Sequence, residues 1–229
     1  MYKYETHLHT LPVSKCAKSF VDDTLTFYAS EGYDGVFITN HFLDGNINID
    51  CDVPYEEKIN FYFFDYENGV EIGKKIGLRV FQGVEMSYKG TDFLVYGLDK
   101  QWYLDHPEIM DMEKSTELPY LMKHGALVVQ AHPYREASYI DHIRLYPRCV
   151  EAVEVINGNR KPLENDMAAA YASAYGLCRT AGTDNHQGRA TRHLAGMISD
   201  TPIANESDFI SRVRAGSMEL FFDEHTPEI

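Results

Sequence analysis

Histidines and acidic residues stand directly after short apolar segments at five separate places along this sequence. Each apolar segment has the length and composition of a buried β-strand, and each is followed by a residue type that binds metal ions. The five groups are His7 with His9, Asn40 with His41, Glu85, His132, and Asp184 with His186. Ligands at the ends of successive strands are how an α/β barrel assembles a metal site from distant residues. This recurrence therefore favours a fold in which the strand ends meet.

Predicted strands and helices alternate along the chain. The predicted strands cover residues 2–6, 35–39, 78–84, 93–96, 126–130, 150–156 and 177–182, and the predicted helices cover residues 20–31, 56–76, 113–124, 163–175 and 208–214. Residues 101–111 read as irregular, and a short strand pair is predicted near the C-terminus. Strands that alternate with helices favour a parallel sheet. Because no repeat or linker interrupts the pattern, we expect a single α/β barrel domain over residues 1–229.

The charge balance argues against some classes of partner. The net charge is −14, so the chain lacks the broad basic face that binding a nucleic acid duplex requires. The same charge is expected to repel anionic membranes. Small anionic substrates stay compatible, because bound divalent cations would reverse the local field.

Cysteine usage and the apolar segments indicate a cytoplasmic protein. No apolar run approaches the roughly 20 residues that cross a bilayer, and the N-terminal residues lack the apolar centre of a signal peptide. The four cysteines, Cys16, Cys51, Cys149 and Cys178, show no CxxC spacing and are too few for a disulfide scaffold. We therefore expect a reducing cytoplasm and no membrane association, while the oligomeric state stays open.

The spacing within the groups suits metal coordination. His7 and His9 lie two residues apart and so project from the same face of a strand, where both can bind one ion. Asp184 and His186 have the same spacing, and Glu85 ends an apolar run where a carboxylate is costly to bury without a cation or donors. Taken alone, the last pair fits a turn with a helix N-cap, and a lone histidine fits a buried structural group. Their occurrence together favours a shared metal site.

The ordered motifs HxH, (D/N)H, GxE, AHP and GxDxH resemble those of the PHP family, named for polymerase and histidinol phosphatase. The resemblance runs from His7 to His186 and is specific as a set. It implies a distorted (β/α)7 TIM-like barrel that holds two or three divalent metal ions, zinc, manganese or iron, at the carboxyl-terminal ends of its strands. It also implies an enzyme that hydrolyses phosphoesters.

The resemblance further implies a role for each ligand. Matched by motif, one metal would be bound by His7, His9 and Asp184, a second would be bridged by Glu85 and completed by His132, and a third would be bound by His41 and His186. A water that bridges two such ions would lose a proton near neutral pH and attack phosphorus. Glu85 and His186 are therefore the candidate catalytic residues, with His186 or His41 assisting the leaving oxygen.

Three positions depart from the family pattern. Asn40 replaces the usual aspartate beside His41, and the loss of that partner is expected to weaken the orientation of His41. Asp99 stands where the family often has a histidine after the fourth strand, and it could be a ligand or a solvated turn residue. Another histidine is usual near Lys15, which cannot bind metal while protonated. The neighbouring Cys16 could be a ligand or a buried free thiol, so occupancy of the third site stays open.

Arginines that follow two of the strand ends are candidates for substrate binding. Arg135, which follows the AHP motif, is the first candidate, and Arg160, which follows Asn159, is the second, because a guanidinium matches the oxygens of a phosphate. Each could instead be a surface arginine. We predict a metal-dependent phosphoesterase that acts on a small phosphorylated metabolite or nucleotide. The alternatives are a metal-barrel hydrolase that cleaves amides or lactones, and a non-catalytic, metal-stabilised binding module.

Overall fold

The computed structural model describes residues 1–227. Its strands are β1 (Tyr2–Leu8), β2 (Gly35–Ile38), β3 (Arg79–Tyr88), β4 (Thr91–Tyr96), β5 (Leu127–Ala131), β6 (Ala152–Asn157), β7 (Cys178–Gly182), β8 (His193–Ser199) and β9 (Glu219–Glu224). Its helices are α1 (Val21–Ser30), α2 (Tyr55–Ile76), α3 (Lys100–Asp105), α4 (Lys114–Lys123), α5 (Pro162–Tyr175) and α6 (Glu206–Ala215). Every strand and helix predicted by residue range is present, so the predicted alternation is confirmed.

Strands β1 to β7 curl into a nearly closed barrel. Their hydrogen-bonded order follows the chain from β1 to β7. The two ends of the row meet where the Asp184 amide donates to the His7 carbonyl (2.9 Å) and the His9 amide donates to the Asn185 carbonyl (3.1 Å). Strands β8 and β9 form an antiparallel pair that joins the first residues of β1. The predicted α/β barrel is therefore confirmed.

One strand of the barrel runs against the others. Strand β4 pairs antiparallel with both β3 and β5, so the prediction of parallel strands joined throughout by helices is wrong here. Only Lys89 and Gly90 separate β3 from β4. So short a connection can form only a hairpin, because a parallel partner needs a crossover of a dozen or more residues. The start of β4 therefore lies at the barrel end where the other six strands finish.

An apolar cluster fills the opposite end of the barrel. Residues four apart in a strand lie on the same face, so Phe81 and Glu85 of β3 share one face. Phe81 stacks on Phe37 at a ring distance of 4.7 Å, and Phe37 packs against Phe209 of α6 at 4.4 Å. Helix α6 thus covers the end at which β3 begins. Polar side chains are left to the other end, where Glu85 lies.

The remaining helices pack outside the sheet. Helix α1 packs on β1 and β2, helix α2 packs on β3, and helix α5 packs on β6. The segment predicted to be irregular, residues 101–111, instead contains α3 and the 3-10 helix Pro107–Asp111. Asp99 stabilises the start of α3 by accepting a hydrogen bond from the Trp102 amide (2.8 Å). None of the helices within residues 1–227 combines the length and apolar character that crossing a bilayer needs.

Candidate metal centre

The structure brings the seven predicted metal ligands together at one end of the barrel. Each lies near or just beyond the end of a strand, and all but the partly exposed His186 are buried. They are His7, His9, His41, Glu85, His132, Asp184 and His186. Residues from opposite ends of the chain thus share one small volume.

Glu85 occupies the centre of this cluster. Its Oε1 lies 3.1 Å from His7 Nε2 and 3.3 Å from His132 Nε2. Its Oε2 lies 3.3 Å from His9 Nε2 and 2.7 Å from His41 Nδ1. Burial raises the pKa of the Glu85 carboxyl, but the imidazoles of His41, His7 and His9 outweigh burial and hold this pKa well below its usual value. The carboxylate is therefore ionised and has imidazoles on both sides.

Three groups of donor atoms lie close enough to bind ions. Within each group, one donor atom per residue lies within 4.8 Å of the others. The groups are His7, His9 and Asp184; His7, Glu85 and His132; and His9, His41 and His186. Imidazole and carboxylate donors of this kind suit zinc, manganese and iron.

Buried polar atoms at this centre lack partners among the described residues. His41 Nδ1 and Glu85 Oε2 lie 2.7 Å apart, yet no hydrogen bond joins them. The Nε2 atoms of His7 and His9 face each other at 3.2 Å. At this distance the two nitrogens can share only one proton, so each depends on the other as its partner. Shared cations would satisfy all four atoms. The residues present therefore fit a group of divalent metal ions.

Protons and metal ions compete for these side chains. Burial lowers the pKa of the His7 imidazole, but Glu154, Asp184 and Glu85 outweigh burial and raise this pKa well above its usual value. Burial raises the pKa of the Asp184 carboxyl, but His7 and His186 hold it well below its usual value. Without metal, protonated imidazoles balance the carboxylates. A metal ion that binds here must displace those protons, so its affinity rises with pH.

Two of the candidate ligands have unusual backbone conformations. His132 has a φ of 26° and Asp184 a φ of 56°, in the left-handed region that residues with a Cβ rarely adopt. Each is fixed by a hydrogen bond to a residue of the adjacent strand: the His132 amide donates to Glu154 Oε2 of β6 (3.1 Å), and the Asp184 amide donates to the His7 carbonyl of β1 (2.9 Å). Such strain persists where surrounding contacts enforce it, and it is often found at functional sites.

Glu154 supports the ligands from inside the barrel, and the sequence analysis missed it. Its Oε1 lies 2.8 Å from His7 Nδ1, and its Oε2 accepts from the His132 amide and from Asn157 Nδ2 (2.8 Å). Asn157 also reaches Asp184 Oδ2 at 3.3 Å. The signal in the sequence was a fully buried acid in the apolar segment AVEVIN of β6. Glu154 thus holds His7 through the ring nitrogen that faces away from Glu85.

Replacing Glu154 with glutamine is expected to weaken metal binding by about 10- to 100-fold, the usual effect of losing a carboxylate that orients a ligand histidine. Zinc affinity, measured by competition with a chromophoric chelator, checks this. Glu151→Gln is the matched control, because Glu151 precedes the same strand but pairs with Arg214 at 2.8 Å instead of with the centre. Equal zinc affinity in the wild type and the Glu154 variant would contradict the orienting role.

Asn40 is held in a hydrogen-bond network beside the metal centre. Its Oδ1 accepts from the Thr10 amide (2.7 Å) and from Ser14 Oγ (2.8 Å), and its Nδ2 donates to Asp65 (3.1 Å). Ser14 Oγ lies 3.1 Å from His9 Nδ1. Ser14 Oγ also accepts from the His41 amide (3.0 Å), so Asn40 bears on the His9 ring and on the His41 backbone through Ser14. Its side chain makes no hydrogen bond to the His41 ring, and the expected weaker orientation of that ring stays a prediction.

The acid of β4 and its flanks that lies near the metal centre is Asp92, whereas Asp99 lies away from it. Asp99 is exposed and caps α3 at the opposite end of β4. Asp92, at the start of β4, is 3% exposed, and its Oδ2 lies 3.8 Å from His132 Nε2. The antiparallel direction of β4 is the reason, because it brings the beginning of this strand to the metal centre. Strand direction was the one property that the sequence analysis assigned wrongly here.

Cys16 is neither fully buried nor remote from the centre. It is half-buried and lines the cavity in front of the ligands, together with His41 and His186. Burial raises the pKa of this thiol, but the neighbouring His186 and His41 outweigh burial and lower it to about 6. The interpretation of Cys16 as an inert buried thiol is therefore weakened.

A cavity of about 650 Å³ opens in front of the centre, and both candidate arginines line it. Arg135 is already paired: its Nη1 lies 3.2 Å from Asp92 Oδ2, and its guanidinium contacts Tyr139. Arg160 makes no ion pair within the described chain, and its Nε is buried without a hydrogen bond. The two arginines thus differ in their availability to an anion.

Comparison with known proteins identifies the fold at low sequence identity. No protein-family model and no curated protein matches the sequence. A solved two-domain protein from Bacteroides vulgatus, which contains a predicted PHP-like metal-dependent phosphoesterase, is 14% identical with a TM-score of 0.72. The match covers 96% of this chain and 64% of that one. This chain therefore spans less than two thirds of that neighbour's length.

Two further solved structures share the fold. One is from Bifidobacterium adolescentis and is described as a metal-dependent phosphoesterase; it is 11% identical, with a TM-score of 0.57, over 82% of this chain and 88% of that one. The other is an amidohydrolase from Chromobacterium violaceum with bound sulfate and no metal; it is 13% identical, with a TM-score of 0.58, over 95% of this chain and 97% of that one. The chain thus has the barrel of PHP-like proteins, as the motif resemblance implied.

Proposed function

We propose that this protein is a metal-dependent phosphoesterase that hydrolyses a small phosphorylated metabolite or nucleotide. The observation that carries the proposal is the position of Glu85, each of whose oxygens faces two imidazoles. A carboxylate with donors on both sides can bridge two cations, and paired cations are a common means of phosphoester hydrolysis. The PHP-like barrel supports the same assignment.

Each metal ion would be held by side chains from different strands. The first would be bound by His7, His9 and Asp184, the second by Glu85 and His132, and the third by His41 and His186. Two or three divalent ions bound here would supply Lewis acidity and lower the pKa of a nucleophilic water. Zinc, manganese and iron(II) all accept these donors.

The chain's own side chains would bind the substrate and move protons. Arg160 is the first candidate for the phosphate oxygens, because its charge is unpaired, and Arg135 is the second, because Asp92 already holds it. Burial lowers the pKa of His186, but Asp184 and Cys16 outweigh burial and raise it. This shift favours the protonated ring, so His186, where it is free of metal, is the candidate to pass a proton to the leaving oxygen.

The purified protein is expected to contain divalent metal and to release 4-nitrophenol from 4-nitrophenyl phosphate. A chelator is expected to abolish this release, and addition of zinc, manganese or iron(II) to restore it, because the nucleophile depends on bound metal. Metal content is measured by mass spectrometry and product by absorbance. Hydrolysis that is insensitive to chelator would refute the proposal, as would a metal-loaded protein that hydrolyses no phosphoester in a panel of nucleotides and sugar phosphates.

Cleavage of amides or lactones is the second candidate, because one neighbour with the same fold is an amidohydrolase. The same preparation, assayed on a panel of both bond types, decides between the two reactions. Bound metal without turnover on either panel would favour the non-catalytic binding module.

A further inference from the structure

A buried lysine begins helix α4. Lys114 is 7% exposed and is the first helical residue after Glu113. The amino-terminal end of a helix carries partial positive charge, so a cation there is unfavourable, and an unpaired buried ammonium would be costly. Neither helix formation nor apolar packing therefore explains a lysine at this position, and the explanation lies in its partners.

Two carboxylates pair with the Lys114 ammonium. Its Nζ lies 2.6 Å from Asp44 Oδ2 and 2.7 Å from Glu117 Oε2. Burial lowers the pKa of Lys114, but the two carboxylates outweigh burial and raise it. Glu117 belongs to the same helix, whereas Asp44 lies 70 residues earlier in the chain. The pair with Asp44 thus connects α4 to a distant turn.

The turn that contains Asp44 packs against a candidate metal ligand. We call residues 42–45 the His41 turn; the Gly45 amide closes it by donating to the Phe42 carbonyl (2.9 Å). A Cβ added at Gly45 would lie only 3.1 Å from His41 Cβ and 3.4 Å from His41 Nδ1, so the turn is in close contact with the imidazole. A displacement of this turn would therefore shift or release the His41 ring.

Asp44 fixes the His41 turn at two points. Its Oδ1 accepts from the Ser87 amide of β3 (3.1 Å), and its Oδ2 pairs with Lys114. Asp44 also lines the cavity in front of the metal centre, whereas within residues 1–227 the lining does not include Lys114. Lys114 therefore acts on the centre through the turn, and not by contact with a substrate.

We propose that Lys114 is a positioning residue, whose ion pair with Asp44 holds the His41 turn against the His41 ring. The ring is thereby kept in place to bind metal together with His9 and His186. The inference rests on the metal centre of the proposed function, but not on the reaction catalysed there. It assigns a role to a helix that carries none of the ligand motifs.

Lys114→Met is expected to weaken one step of zinc binding by about 10-fold, the lower end of the range for losing a group that orients a ligand histidine. Methionine keeps a long side chain but cannot pair with Asp44. The affected step is expected to be the one that His41→Gln abolishes, while the other steps stay unchanged. Competition with a chromophoric chelator measures the stepwise affinities. Unchanged affinities, or an equal loss at every step, would overturn the proposal.

Lys100→Met is the matched control for this variant. Lys100 also begins a helix, α3, and its Nζ lies 2.8 Å from a carboxylate oxygen of Glu67, but neither residue contacts the His41 turn. Normal zinc affinity at every step is expected. Loss of the same zinc step in this control would show an unspecific effect of removing a lysine and would overturn the proposal.

Variants of the two partners separate the proposed role from one confined to helix α4. Asp44→Asn is expected to weaken the same zinc step, and Lys114→Met is expected to add little in that background, because the two residues act as one unit. Glu117→Gln is expected to leave the step unchanged, since Lys114 keeps its pair with Asp44. Loss of zinc in the Glu117 variant, with none in the Asp44 variant, would contradict the inference.

Two measures separate these outcomes from misfolding and from the proposed reaction. Circular dichroism verifies each fold; if Lys114→Met does not fold, a triple variant that adds Asp44→Asn and Glu117→Gln leaves no carboxylate unpaired and is expected to show the same loss. A wild type that binds zinc without phosphoester hydrolysis, with one step weakened in the Lys114 variant, would support this inference and overturn the proposed function. Chelator-sensitive hydrolysis, with unchanged zinc binding in the Lys114 variant, would do the opposite.

Discussion

Glu85→Gln is expected to lower chelator-sensitive phosphoester hydrolysis by at least about 100- to 1000-fold, the range for removing one group that stabilises developing charge. Glutamine keeps the size of Glu85 but replaces one oxygen with an amide nitrogen that does not bind metal. Because Oε1 faces His7 and His132 while Oε2 faces His9 and His41, either orientation of the amide removes the ligand on one side. Bound metal per chain, measured by mass spectrometry, is expected to fall with the activity.

Glu164→Gln is the matched control for this variant. Glu164 is also a buried carboxylate, but it lies in the first turn of α5 and accepts hydrogen bonds from the amides of Lys161 and Glu136. This control is expected to keep both metal content and hydrolysis. A Glu85 variant with full metal content and full activity would show that Glu85 bridges nothing.

Gly182→Ala is expected to destabilise the fold by about 3 kcal/mol, the upper range for overpacking a filled interior, and to impair metal binding as well. Gly182 ends β7 where this strand approaches β1, and a Cβ there would lie 2.5 Å from His7 Cβ and 3.0 Å from the His7 amide nitrogen. Relief of this clash requires either the barrel to open or His7 to move. Urea unfolding gives the free energy, and zinc uptake reports on the position of His7.

Gly158→Ala provides the comparison. Gly158 follows the neighbouring strand β6, and the nearest atom to an added Cβ there, Thr183 Cα, is 3.2 Å away. A smaller loss of stability and nearly normal zinc uptake are expected. If Gly182→Ala unfolds at the same urea concentration as the wild type and binds zinc equally well, β1 and β7 are not in the tight contact described.

The ligand set illustrates what local pattern can reveal. His7 and His9 follow one another at strand spacing, and Glu85 ends an apolar run, so their residue types and positions were visible without coordinates. Alternation of strands and helices likewise predicted the barrel. These features depend only on residues a few positions apart, so a short segment of the sequence contains all the information needed to predict them.

The residues that surround these candidate ligands were harder to predict from the sequence. Glu154 contacts His7, which is 147 residues away in the sequence. Asn40 contacts Ser14, 26 residues away, and Ser14 in turn contacts His9. Arg135 and Arg160 look alike in the sequence, and their contacts in the folded protein, above all that of Arg135 with Asp92, distinguish them. Such pairings arise from the way the sheet closes.

Residue pattern alone was sufficient to predict the barrel and the side chains that meet at one end of it, because side chains that end apolar runs are set by local order along the chain. The folded molecule was needed to show that β4 is reversed, that Asp92 stands at the centre in place of Asp99, and that Glu154 supports His7. The physical reason is that strand direction and cross-barrel contacts depend on the packing of distant segments. The spacing of neighbouring residues in the sequence carries no information about that packing.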